Sequence, residues 1–101
     1  MDEVRWDRGP DGRLKAWVSS EASRVRLRKC ADIVTEHFGG DARDRVGGLD
    51  LAFWDFMVGP VLVTLHLEQH VGVAVLANDE SAVSEALVRQ IAEYLLQHAP
   101  E

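Results

Sequence analysis

Residues 49–77 read LDLAFWDFMVGPVLVTLHLEQHVGVAVLA, and their alternation decides the fold. From Val61 to Glu68, Val61, Val63, Leu65 and Leu67 alternate with Leu62, Thr64, His66 and Glu68, the two-residue period of a strand. Leu49 to Val58 is a second strand-like run, closed by Gly59-Pro60. Val71, Val73, Val75 and Ala77 continue the pattern after Gln69-His70. Breaks this short leave no room for the crossovers that parallel strands need, so the segment predicts an antiparallel meander.

The two faces of this meander differ. Pairing Val58 with Val61 puts Trp54, Phe56, Val61, Val63, Leu65 and Leu67 on one face. Large apolar groups contribute roughly 1.5–3 kcal/mol each on burial, so this is the expected core face. A slip of one residue would invert it. The other face carries Leu51, Phe53, Asp55, Met57, Leu62, Thr64 and His66, which is more apolar than solvent requires. Leu51, Phe53, Met57 and Leu62 are therefore candidate interface residues, for a protein partner or a homodimer. Cover by loops or the N-terminal hairpin, with Trp6 and Trp17, is the competing expectation.

Outward from the meander, Asn78-Asp79-Glu80-Ser81 is a helix start, followed by a stripe of Val83, Leu87, Ile91, Tyr94 and Leu95 over about 81–98, with Pro100 as the stop. On the N-terminal side, 4–8 and 13–18 flank Gly9-Pro10-Asp11-Gly12 and predict a hairpin, with Leu14, Ala16 and Val18 opposite Arg13, Lys15 and Trp17. Ser19-Ser20-Glu21 opens a helix of about 20–38 striped by Leu27, Cys30, Ala31, Val34 and Phe38 and stopped by Gly39-Gly40. Arg24–Arg28 alternates like a strand, but the stripe beyond it and the stop signal favour helix. Arg43–Val46 reads as a short edge strand. The expected order is ββα(β)βββα: an α+β fold, one domain over 1–101, with both helices on one face of an antiparallel sheet.

The chain has 101 residues, 47% of them apolar and 28% charged, enough for one modest core and unlike a disordered chain. Arg outnumbers Lys nine to two, with Ala and Val abundant, as GC-rich bacterial coding produces. The N-terminus is acidic, no apolar run is long enough to span a membrane, and Cys30 is the only cysteine. These features point to a cytoplasmic protein without membrane association. Residues 1–50 balance ten bases with ten acids, while 51–101 set Arg89 against seven acids. An acidic half-chain repels phosphate backbones, which argues against nucleic acid.

Chemistry-bearing motifs are few. His66, Glu68 and His70 have the spacing that projects three ligands from one strand face, and imidazole with carboxylate suits zinc or a similar divalent metal. Cys30 and His37 lie about two helical turns apart, roughly 10 Å and too far for a thiol–imidazole pair. Arg24, Arg26, Arg28 and Lys29 form the basic cluster, but on a helix Arg26 points away from Arg24 and Arg28, so a solvated face is expected, and an anion- or partner-binding reading mainly needs this segment to be a strand. Phosphate-loop, calcium-loop and hydrolase signatures are absent. In size, acidity and element type the chain resembles type III secretion chaperones, which are dimeric with exposed apolar patches, and more loosely bacterial immunity proteins. Those chaperones begin with a helix, this chain with a hairpin, and no motif is shared. The resulting expectation is a small non-enzymatic protein-interaction domain with an acidic surface and a mixed sheet face. The alternative is a metal- or small-ligand-binding module at His66, Glu68 and His70.

Overall fold

The computed structural model describes residues 2–99. Six strands form one antiparallel sheet: β1 (Arg5–Arg8), β2 (Leu14–Ser19), β3 (Asp41–Gly47), β4 (Leu51–Val58), β5 (Val61–Glu68) and β6 (Gly72–Ala77). Their spatial order is β1-β2-β6-β5-β4-β3. The helices α1 (Arg24–Phe38) and α2 (Ala82–His98) share one face. The expected class and element order hold.

The meander pairs in the register supposed for it. Val58 opposes Val61, Phe56 opposes Val63 and Trp54 opposes Leu65. These side chains and those of Leu67, Val73 and Val75 bury against Leu27, Val34, Ile91 and Leu95 of the helices. The N-terminal hairpin extends the sheet: β2 inserts beside β6, with Ala16 opposite Val75 and Trp17 opposite Ala74. Gly72 makes that insertion possible. Its φ is +142°, and a Cβ there would collide with the Ser19 carbonyl oxygen on β2.

Several boundaries differ from the sequence reading. The first helix starts at Arg24, because the side chain of Ser23, not that of Ser19 or Ser20, accepts from the Arg26 N–H. Gly39 ends it in the left-handed conformation, as expected. The short edge strand is longer than Arg43–Val46, running Asp41–Gly47. The strand after Gln69-His70 starts at Gly72, since Val71 completes a turn by donating its N–H to the Glu68 carbonyl at 3.1 Å.

The inward stripe of α2 is also rotated. Ser84, Val88, Ile91, Ala92 and Leu95 are buried, whereas Val83 is 64% exposed. Apolar residues cover most of this helix, so two stripes were available. Pro100, the expected stop, lies outside the described residues. At the far edge Arg8 grips Glu85 with two hydrogen bonds of 2.7 and 3.1 Å, tying β1 to α2. Those bonds hold the Glu85 carboxyl below its ordinary range.

Candidate functional site

The sheet face opposite the helices carries no other element among the described residues. Its side chains follow from strand register. One row across the sheet is Arg5, Trp17, Ala74, His66, Phe53 and Val46. The next is Asp7, Lys15, Leu76, Thr64 and Asp55. Leu62 pairs with Met57, and Glu68 with Leu51, on either side of these rows.

The centre of this face covers itself. His66 lies flat against Phe53, with ring centroids 4.4 Å apart and planes 18° from parallel. Trp17 approaches His66 from the other side at 5.9 Å. The cations of Arg5 and Lys15 lie 5.3 and 5.4 Å from the Trp17 ring, a distance at which a cation is attracted to an indole face. Asp55 accepts a 2.7 Å hydrogen bond from the Thr64 hydroxyl. His66 is only 3% exposed, and its Nδ1 lies 3.3 Å from the Ala52 carbonyl oxygen. Burial lowers its proton affinity and Lys15 adds to that, while the Ala52 carbonyl and Glu68 oppose it.

What remains open is one side of the face. Leu51 is 46% exposed, Phe53, Met57 and Leu62 are half-buried, and Val46 is 62% exposed. All four residues singled out as interface candidates therefore share one face. Trp17, expected as alternative cover from the N-terminal hairpin, lies on this face against His66, and Leu76 joins it there from β6. The β2–β6 pairing spans more than fifty residues and leaves no local signal. Trp6 does not cover this face. It pairs with Ala16 on the helix side, where Arg89 lies 5.3 Å from its ring.

Of the three metal-ligand candidates, two come together. His66 Nε2 and Glu68 Oε2 are 3.6 Å apart. His70 sits in the β5–β6 turn with φ +67°. Among the described residues, no three His, Cys, Asp or Glu side chains are grouped to hold a metal ion. Cys30 is 1% exposed, and burial pushes its thiol up to about 11, which leaves little thiolate near neutral pH. His37 turns from it and stacks on Tyr94 at 3.7 Å, and Tyr94 stacks on His98 at 4.0 Å. This three-ring stack borders a hollow of about 330 Å³. A second hollow, of about 430 Å³, lies between the N-terminal segment and α2.

No helix is long and apolar enough to cross a membrane among the described residues. The site belongs to an α+β protein with one helix-covered and one uncovered sheet face. No protein-family model matches the chain, and no match is found among curated proteins or solved structures.

Proposed function

We propose that this chain is a non-enzymatic protein-interaction domain whose uncovered sheet face docks on the same face of a second copy. The observation that supports this reading is the layout of charge across that face. Lys15 on β2 and Arg5 and Asp7 on β1 stand at one side, Asp55 and Glu68 on the β4–β5 side, with apolar and aromatic groups between them. The two strands flanking the apolar centre, β2 and β4, thus carry opposite charges in one row.

Consider a dyad lying in the contact plane, along the strands and between β5 and β6. It lays β2 of one copy over β4 of the other. Within the shared rows Lys15 then faces Asp55 of the second copy, and Trp17 faces Phe53. Two sheets packed this way keep their strands within about 30° of alignment. Six strands spaced by about 4.8 Å give a face on the order of 500 Å² per copy, which reaches the lower end of specific interfaces. A dyad perpendicular to the strands would set Lys15 against Lys15 and Asp55 against Asp55. The acids of the second half that lie off this face, Glu80 and Glu93 among them, keep the assembly acidic and suit a basic partner on its outside.

Light scattering across a dilution series tests the reading. The expected particle has twice the 11.3 kDa chain mass at micromolar concentration. Lys15→Glu and Asp55→Lys should each weaken association about tenfold or more, and the double charge swap should restore it. A wild-type chain that stays monomeric at hundreds of micromolar would overturn the proposal.

A further inference from the structure

The helix-covered face holds a second cluster, at its β3–β4 edge. Three guanidinium groups surround the indole of Trp54. The ring centroid lies 5.2 Å from Arg24, 5.2 Å from Arg28 and 4.3 Å from Arg45. Arg24 and Arg28 are one turn apart on α1, and Arg45 reaches the ring from β3. All three are exposed, and Trp54 beneath them is 3% exposed.

Two features make this more than a solvated face. First, none of the three arginines has a carboxylate at ion-pair distance among the described residues. Most other arginines are paired, as in Arg8–Glu85, Arg13–Asp11 and Arg43–Asp41, with Arg5 over Trp17 the exception among the described residues. Arg24 makes one hydrogen bond of 3.0 Å, to the neutral carbonyl of Gly48. The first turn of α1 contains no acid either. Three like charges are thus gathered without neutralisation in a chain of net charge −6.

Second, a backbone irregularity selects the third arginine. Ala42 opposes Phe56, and a bulge lies between Ala42 and Arg45. Unbroken pairing from Ala42 onward would set Asp44 opposite Trp54. The bulge sets Arg45 there instead. A bulge re-aims side chains in this way at the cost of local pairing. Here it replaces an acid by a base at the one position facing Arg24 and Arg28.

We infer that Arg24, Arg28 and Arg45, gathered around Trp54, form a binding site for a phosphoryl dianion. Guanidinium groups donate in a planar fork that matches phosphate oxygens, and three forks around one ring can engage three oxygens of a single group. The indole supplies an apolar floor and holds the guanidinium planes. Such a group could be free inorganic phosphate or a phosphoserine on another protein, and the recognition chemistry is the same.

Nuclear magnetic resonance tests this through the Trp54 indole N–H at constant ionic strength. Inorganic phosphate and a phosphoserine peptide are titrated separately, with chloride and the unphosphorylated peptide as controls. A saturable shift with either phosphate species, absent in both controls, is expected. Arg28→Gln and Arg45→Gln should each weaken binding about tenfold or more, and Arg89→Gln should leave it unchanged. Tighter binding of the peptide would assign the site to phosphorylated protein, and equal binding to free phosphate. All the substituted side chains are exposed, so an unchanged spectrum elsewhere certifies folding. No saturation, a chloride shift of equal size, or variants that bind like wild type would overturn the proposal. The site lies on the face away from the proposed dimer contact, so neither outcome depends on the other.

Discussion

His66 is a titratable ring held where its charged form is disfavoured. It is sandwiched between Phe53 and Trp17, and the Lys15 ammonium adds to the cost of protonation. Its folded-state proton affinity lies below the ordinary histidine value. The unfolded chain therefore takes up a proton first as pH falls. The stability carried by neutral His66 is complete above pH about 6.5 and is lost progressively below it, toward the lower folded value. Denaturant unfolding of wild type and His66→Phe at pH 7.5 and 5.5 checks this. Phe matches the ring stack and cannot titrate, so the variant should lose less stability than wild type across that interval. An equal loss in both would remove His66 from the account. The sequence put His66 on this face through strand alternation. It could not show the ring sandwich, because Trp17 arrives by a pairing with no local signature.

At the scale of elements, local pattern and distant pairing divide what could be read. The meander was legible because alternation puts Trp54 with Phe56 and Val63 with Leu65 on single strand faces. Its register was not, since Gly59-Pro60 is no standard hairpin loop, and the Val58–Val61 pairing is a supposition that the structure matches. The α1 stripe was legible because Gly39 stops it and Leu27, Cys30, Ala31 and Val34 recur at helical spacing. The bulge in β3 was not, since Arg43, Asp44 and Arg45 offer no apolar residue to fix which one faces inward. Nor was the role of Arg26, read as part of a solvated cluster. It is 7% exposed, lies 3.6 Å from Glu21 and donates a 2.7 Å hydrogen bond to the Ala99 carbonyl. The start of α1 is thereby fastened to the end of α2. Removing this side chain takes away a charge-assisted hydrogen bond and a buried stem together. Arg26→Ala should cost about 2–4 kcal/mol in chemical denaturation. Arg24→Ala, two residues away and exposed, should cost about 0.5 kcal/mol or less, so equal losses in the two would contradict the proposed tether.

For the whole molecule, the sheet is buried on one side by two helices and left to its own side chains on the other. If a second copy closes that side, folding and association share one equilibrium. Stability then depends on protein concentration, because dissociation into unfolded monomers is favoured by dilution. Each tenfold rise in concentration adds about 1.4 kcal/mol of mass-action stabilisation, on the order of 3 °C in the melting temperature of a particle this size. A melting temperature unchanged over a hundredfold concentration range would mean that the face stands open and that its rings protect themselves. Phe53→Asp removes a ring from the contact and also gives up its stack on His66, so a lower melting temperature is expected from the fold alone and the concentration dependence is the readout. The variant should melt cooperatively but without concentration dependence, because an aspartate there introduces an unpaired charge into the contact. Arg28→Gln, on the other face, should keep the full dependence, since the dyad that sets Lys15 against Asp55 leaves Trp54 and its arginines outside the contact.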